Sequence, residues 1–175
     1  MGTNSTQFMT QLRQHLTAQP LWTFAVDFYA RSGVEQVCLS LQDEYGWDVC
    51  ELLWRCWLFQ HGAQAGELAP EIRRWQAEVT QPLRRIRREL KPESCRSTAV
   101  FSLREQIKKS ELAAERETMN RLMKISLKDS TLTPLPVPLP SLEKVLLSDH
   151  ELKKKSQVRL IATLETQLDP LCHPR

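Results

Sequence analysis

Apolar and polar residues recur with a helical period along most of the chain, and the most apolar stretch is 48–61. Between its first and last turns the only charged residues are Glu51 and Arg55, four positions apart. A helix with this sequence carries one narrow polar stripe and buries the rest of its surface. Asp48 is a suitable N-cap, and Gly62 suits the left-handed conformation that often ends helices. The pattern predicts a buried central helix at about 48–61.

Two features of this helix carry further expectations. His61 lies in its last turn, where a positive charge would complement the helix dipole. Trp54 and Trp57 lie within it, and all five tryptophans of the chain fall between Trp22 and Trp75. Because tryptophan contributes much apolar area when it is buried, we expect the core to be centred in this region.

Shorter helical patterns precede the central helix. Residues 1–19 permit an amphipathic helix that folds back on the core. Pro20 suits the first turn of a helix over residues 21–31, and Val34 to Tyr45 form another pattern that stops at Gly46. Links of two or three residues cannot carry the chain far, so these helices are expected to be close neighbours.

A long helical hairpin is predicted in the middle of the chain, from segments at about 71–91 and 100–127. Apolar residues recur at the helical period in both segments, which predicts a stripe facing the core along the whole length of each. Pro82 interrupts the first segment and predicts a kink or restart near Thr80. The first stripe is Ile72, Trp75, Val79, Leu83, Ile86 and Leu90, and the second is Val100, Leu103, Ile107, Ala114, Leu122 and Ile125.

The last part of the chain has a different composition. Residues 133–140 alternate proline with other residues, and such a run must be extended. Residues 129–141 are therefore predicted to form a linker or a strap lying on the helical body. A final helix, capped by Ser141 or Ser148, is predicted to end near Gln167. Its expected contact face is Val158, Ile161, Leu164 and Leu168.

These elements predict an all-α fold: a compact multi-helix bundle with a buried central helix, a long helical hairpin and a Pro-rich strap leading to a C-terminal helix. The 175 residues, 41% hydrophobic and 26% charged, are ordinary for a globular protein, and only 5 are glycine. We expect a helical domain at 1–128, a linker at 129–141, and a C-terminal helix and tail at 142–175.

Composition also limits location and redox chemistry. The sequence has no secretory signal pattern and no apolar segment of about 20 residues, so a cytoplasmic protein without membrane association is expected. The odd number of cysteines and the lack of a CxxC pair favour reduced thiols over disulfides or a zinc site. The five cysteines are Cys38, Cys50, Cys56, Cys95 and Cys172.

Basic residues are concentrated in the middle third of the chain. Residues 67–128 contain 15 Lys or Arg against 9 Asp or Glu. Arginine suits phosphate and carboxylate partners, so a basic stripe predicts a surface for nucleic acid or an acidic partner. Its predicted residues are Arg73, Arg84, Arg87, Arg88 and Lys91. The alternative is a solvated helix face whose arginines pair internally with Glu105, Glu111, Glu115 or Glu117.

An acidic group in the first third offers a different chemistry. Carboxylates at helix ends are able to hold a divalent ion or act as an acid and base pair. However, no catalytic pattern accompanies them, and neither a phosphate-binding glycine loop nor HExxH is present. We therefore predict no catalytic residue, no metal site and no cofactor. The acidic group consists of Asp27, Asp43, Glu44, Asp48 and Glu51.

Three sequence motifs lie within residues 21–122: GV-x3-CL-x-LQ from Gly33, G-x-DV from Gly46 and PLR-x2-RR-x-LK from Pro82. By these motifs the chain resembles, over roughly residues 21–122, an uncharacterised proteobacterial family of small all-helical proteins. The resemblance implies a bacterial cytosolic protein, and it implies no activity. The proline strap and the last helix lie outside it.

We expect a non-enzymatic helical protein that binds another macromolecule, most simply a protein partner, through the basic 67–128 segment. One alternative is a nucleic-acid or ribosome-associated accessory protein that uses the basic 73–91 helix. The other is a helical enzyme or ligand binder with a tryptophan-lined pocket and the acidic group. Fold class alone does not decide among these functions.

Overall fold

The computed structural model describes residues 2–128, 132–147 and 154–169, with side chains from residue 6 onward. Its helices are α1 (Gly2–Ala18), α2 (Leu21–Tyr29), α3 (Val34–Tyr45), α4 (Val49–Gln60), α5 (Pro70–Trp75), the π-helix π1 (Gln76–Thr80), α6 (Gln81–Glu89), α7 (Lys91–Ser94), α8 (Thr98–Lys128), α9 (Leu142–Leu146) and α10 (Lys155–Gln167). Two short strands, β1 (Ala63–Gln64) and β2 (Thr133–Pro134), pair antiparallel. The predicted all-α helical-bundle class is confirmed.

The chain divides into two compact units. The first consists of Met1–Gly66 and Met123–Arg175, and the second of Glu67–Leu122. The first unit therefore joins the N-terminal helices to the strap and the C-terminal helices. The predicted division at residues 128 and 141 stays a prediction.

In the first unit, α4 is the buried central helix that its sequence predicts. Asp48 caps it, since the Asp48 carboxylate accepts a hydrogen bond from the Glu51 backbone N–H at 3.0 Å. Trp54 is 3% exposed and Trp57 is fully buried. Glu51 and Arg55 form an ion pair at 2.8 Å along the polar stripe. The expectation that both tryptophans are sequestered from water is confirmed.

Both buried indoles have a hydrogen-bond partner. Trp57 Nε1 donates to the backbone carbonyl of Gln19 at 2.9 Å, at the link after α1. Trp54 Nε1 donates to the Ser126 hydroxyl at 2.8 Å, near the end of α8. Because an unpaired buried N–H costs about 1–3 kcal/mol, these bonds fix which segments close over α4.

His61, the C-cap residue of α4, does not carry the positive charge that its position suggests. Its side chain is buried, and its ring contacts the rings of His15 and Trp57 at centroid distances of 6.3 and 5.8 Å. Burial, together with the neighbouring His15, lowers the pKa of His61 from 6.5 to about 4. Desolvation outweighs the helix dipole here, so the ring is neutral at pH 7.

The proline-rich segment packs on the first unit as a strap. Strand β2 pairs with β1, and the Leu135 N–H donates to the Gly62 carbonyl at 2.9 Å. Leu132 and Leu135 are buried, whereas Val137 is 88% exposed. Residues 129–131 of the predicted linker lie outside the described residues. The strap is anchored at its start, and its middle is open to solvent.

The predicted C-terminal helix is present as α10, which ends at Gln167 as expected. One continuous helix from Ser141 is wrong, because the chain forms α9 first and has extended backbone at Leu147 and Lys154. Residues 148–153, which include the predicted cap Ser148, lie outside the described residues. Ile161 and Leu164 of α10 are fully buried, as their predicted contact face requires. Helix α10 packs on α3, where the Tyr45 and Ser156 hydroxyls share a hydrogen bond at 2.5 Å.

In the second unit, Pro82 changes the helix type at the predicted place. Proline has no N–H to donate to the carbonyl four residues earlier, and its ring crowds the preceding turn. The chain widens into π1 just before it, with the Gln81 N–H bonded five residues back to Gln76. The π-helix ends at Thr80 and α6 begins at Gln81, so the predicted restart near Thr80 is confirmed. The π-helical geometry before it was not predicted.

The two long segments of the second unit run antiparallel as a hairpin. Trp75 Nε1 donates to the Ala114 carbonyl at 3.2 Å, and the Arg121 guanidinium lies 4.0 Å from the centre of the Trp75 ring. Further toward the turn, Arg84 bonds to Glu111. Later residues of the first segment contact earlier residues of the second, as in an antiparallel hairpin.

No disulfide joins the cysteines of the described chain. Cys38, Cys50 and Cys56 are buried and Cys95 is exposed. Burial raises the pKa of Cys38 to about 12 and that of Cys56 well above its usual value, so neither forms a thiolate at pH 7. They are core residues, as predicted. Cys172 lies outside the described residues.

Within the described chain, no helix has both the length and the apolar character needed to cross a bilayer.

The buried, neutral His61 predicts that the protein loses stability as the pH falls below 6.5. The unfolded chain takes up a proton there, whereas folded His61 resists it down to about pH 4. Each unit of pH in that window should lower the free energy of unfolding by up to ~1.4 kcal/mol. Urea unfolding at pH 7, 6 and 5 measures this slope.

The His61→Phe variant is the matched control, since it keeps an aromatic ring without a titrating group. Its free energy of unfolding should vary less with pH than that of the wild type. Parallel curves for the two proteins would contradict the assignment to His61.

Candidate interaction surface

Two of the predicted basic residues, Arg84 and Arg87, are engaged inside the hairpin. Arg84 Nε donates to Glu111 at 3.0 Å and Arg84 Nη2 to Glu115 at 2.6 Å. Arg87 also bonds to Glu111, with Nη2 at 3.2 Å from one oxygen and Nε on the other. The structure therefore shows internal pairing with glutamates, the alternative interpretation, for Arg84 and Arg87.

Glu111 is a buried carboxylate held by both cations. Its residue is 6% exposed, and burial alone would raise its pKa. The hydrogen bonds from Arg87 and Arg84 outweigh that penalty and hold the pKa of Glu111 below its usual value. Burial likewise acts to lower the pKa of Arg84, and its bonds to Glu111 and Glu115 reverse the sign. The cluster is charged at neutral pH and ties α6 to α8.

Arg73 lies apart from this cluster, in α5. Its Nε and Nη2 donate to the Leu68 carbonyl at 3.0 and 2.7 Å, and Nη2 pairs with Glu67 at 3.1 Å. These contacts fasten the first turn of α5 to the residues before it. The described contacts therefore do not bring Arg73 together with the other predicted basic residues.

The remaining predicted residues, Arg88 and Lys91, are exposed. Arg88 lines an open hollow of about 300 Å³ on one face of α6, together with Gln81, Arg84, Arg85 and Glu89. Arg85 is exposed and was not in the predicted set, because the set followed a single flank of the helix. The structure thus gathers three arginines around one hollow.

The feature that defines this region is a lack of buried residues. From Gln81 to Ser110, covering α6, α7 and the first part of α8, every residue is exposed or half-buried. We call residues 81–110 the basic arm. The predicted core-facing stripes fail here: Ile86 is 40% exposed and Leu103 is 46% exposed. The periodicity is that of an amphipathic helix, but among the described residues none covers Ile86 or Leu103 completely.

Large apolar residues nevertheless recur along the arm. Leu83, Ile86 and Leu90 share one side of the first segment, and Val100, Leu103 and Ile107 share one side of the second, by the same spacing of three and four residues. Phe101 adds an aromatic ring that is 53% exposed. The core of the unit forms outside the arm, at positions such as Ile72 and Leu122, which are buried.

The arm is also the most basic part of the chain. It contains nine Lys or Arg and three Asp or Glu. Its exposed cations are Arg85, Arg88, Lys91, Arg96, Lys108 and Lys109. Sequence reasoning missed Arg85, Arg96, Lys108 and Lys109, and the signal that identifies them is the charge of the whole hairpin turn, not one flank of one helix.

The acidic group of the first unit takes structural or solvent-exposed positions. Asp48 caps α4 and Glu51 pairs with Arg55. Asp27, Asp43 and Glu44 are exposed. Among the described residues, no three His, Cys, Asp or Glu side chains are grouped closely enough to hold a metal ion.

The Glu111→Gln variant should be strongly destabilised. It leaves Arg87 partly buried without a carboxylate and Arg84 with Glu115 alone, and breaking a buried ion pair from one side costs about 3–5 kcal/mol. Chemical denaturation of both proteins gives the difference in the free energy of unfolding. Glu105→Gln, on the more exposed surface of α8, is the control and should cost less than about 1 kcal/mol. Equal losses for the two variants would contradict a structural role for Glu111.

The comparisons with known proteins agree with the resemblance and add no activity. No curated protein and no solved structure matches this chain. The family model described as "Protein of unknown function (DUF2390)" matches residues 20–122, more than half of the chain. The match covers α2 to α4 and all of the second unit, and it ends before the strap. The chain therefore belongs to the DUF2390 family of proteins of unknown function.

Proposed function

We propose that this chain is a non-enzymatic protein that binds another macromolecule, and that a protein partner occupies the basic arm. The observation that carries the proposal is that thirty consecutive helical and turn residues, 81–110, include no buried side chain. Helical hairpins are normally stabilised by burying their apolar faces, not by helix propensity alone. Because the arm has no buried core of its own, its apolar side chains are available to contact a partner.

The chemistry of the arm favours a protein over other partners. Contiguous exposed apolar surface marks sites of protein interaction, and each Å² removed from water contributes roughly 25 cal/mol. Arginine and aromatic residues are enriched where binding energy is concentrated in protein interfaces. The arm combines both, with Arg85 and Arg88 near Ile86 in sequence and Phe101 on the returning helix.

A nucleic-acid or ribosome-associated role is the second candidate. The hollow lined by Arg84, Arg85 and Arg88 supports it, since guanidinium groups suit phosphate. The exposed apolar side chains of the arm argue for protein over a phosphate backbone. Binding to nucleic acid would weaken steeply with salt, which distinguishes the two.

The proposal includes a bacterial cytoplasm as the setting. Its support is the resemblance of residues 21–122 to proteobacterial proteins, together with reduced buried thiols such as Cys38 and Cys56.

The double variant Ile86→Asp with Phe101→Asp should fold and lose its partner. Both side chains are about half exposed, so replacing them removes little core and should change the free energy of unfolding by less than about 1 kcal/mol. Tagged wild type and variant, expressed in the native host, are compared by quantitative mass spectrometry of what co-purifies. The partner should be depleted at least about tenfold in the variant.

The matched control is Val26→Asp with Leu39→Asp, two similarly exposed apolar residues of the first unit. This control should retain the partner. The proposal fails if the arm variant keeps every co-purifying component at the level of the control. If the component lost is RNA or DNA and salt alone also removes it, the second candidate replaces the first.

A further inference from the structure

We propose that the ligand of the basic arm is an acidic amphipathic helix of a partner protein. This inference rests on the proposed function and adds the chemistry of what is bound. It follows from the charge of the arm, the arrangement of its apolar residues and the rigidity of its base.

The charge of the arm selects against a second copy of this chain. Nine cationic and three anionic side chains give residues 81–110 a formal charge of +6, which becomes +4 when Glu111 and Glu115, the partners of Arg84 and Arg87, are included. Two such arms packed together would bring like charges into one interface, which disfavours a second copy. An acidic ligand instead meets cations exposed along both segments, from Arg85 and Lys91 on the first to Lys108 and Lys109 on the second.

The arrangement of apolar residues fits a helix. Leu83, Ile86 and Leu90 form a stripe along the first segment, and Val100, Leu103 and Ile107 form a second stripe with the same spacing. None of the six is buried. Ile86 and Leu103 are exposed and the other four are half-buried, so part of each stripe is open to a ligand. An amphipathic helix that docks there supplies its own anchors at positions i, i+3, i+4 and i+7. A phosphate backbone has no apolar groups to fill these positions.

The base of the arm is held rigid before the ligand arrives. Glu111 binds Arg84 and Arg87, and Glu115 binds Arg84 again, so the two helices are fixed where the arm begins. Because these carboxylates occupy Arg84 and Arg87, the acidic ligand is recognised by the more exposed cations. Preorganisation of this kind reduces the entropy that binding costs.

The test locates the ligand and then measures its charge dependence. A photo-crosslinking amino acid replaces Ile86 or Phe101 in the full chain, expressed in the native host, with the same residue at Val26 and Leu39 as controls. Mass spectrometry identifies what the arm positions capture above the controls. We expect one protein segment that is acidic and has apolar residues at helical spacing.

The captured segment is then synthesised, labelled and titrated with the full chain by fluorescence anisotropy. The Arg85→Glu with Lys91→Glu variant should weaken binding at least about tenfold. Arg74→Glu, an exposed arginine of α5 outside the arm, is the control and should leave the affinity within about twofold.

The outcomes separate this inference from the proposed function. A captured protein segment that is neutral or basic, or whose binding ignores the charge reversal, overturns the acidic helix and leaves partner binding in place. Capture of nucleic acid, or of the arm of a second copy, overturns the inference as well. No capture at either arm position above the controls overturns the proposed function itself.

Discussion

The burial of two indole rings is the constraint on which the first unit depends. Trp54 and Trp57 each have a large apolar surface that favours burial in the core. Each indole N–H needs a hydrogen-bond acceptor once it is buried. Their hydrogen bonds to Ser126 and Gln19 satisfy that requirement from segments on either side of α4 in the sequence. The C-terminal end of α8 and the link after α1 are therefore held to the same helix, α4. This explains why residues so distant along the chain form one unit.

The second unit is organised by a different interaction. Its apolar core is small, and a buried carboxylate, Glu111, joins its two long segments through Arg84 and Arg87. Such a cluster contributes little net stability, but it fixes how the two segments are arranged. Removing one member leaves a buried charge without a partner. Arg84 and Arg87 belong to the basic arm, where the large apolar side chains are exposed or half-buried. A chain that folds in this way places a surface suited to binding next to a fixed base.

Local signals in the sequence were sufficient for most of the helices. The pattern from Val34 to Tyr45 predicts α3 with its observed bounds, because glycines flank it and its apolar face is continuous. Asp48 and Gly62 likewise mark the ends of the central helix, and Gly62 adopts the left-handed conformation with φ 75°. Pro82 indicates where the regular α-helix is interrupted. It does not indicate that a π-helix forms there, because that depends on how the neighbouring turns repack.

The candidate site was predictable only in part, because burial and pairing depend on residues far along the chain. Periodicity places Ile86 on the apolar side of α6 and Leu103 on the apolar side of α8. It does not show whether another part of the chain covers those sides. The same limit applies to Arg84 and Arg87, whose partner Glu111 lies more than twenty positions away. Charge counts were a better guide, since the basic excess of the hairpin survives these pairings.

Hydrogen–deuterium exchange of the full chain, followed by mass spectrometry of its peptides, tests the central contrast most directly. Amides in α4 should exchange only on global unfolding, since that helix is almost entirely buried. Amides of the basic arm should exchange much faster, by local opening of helices that bury no side chain. If peptides from residues 81–110 are protected as strongly as those from α4 in the isolated protein, the arm has a core that this account denies it.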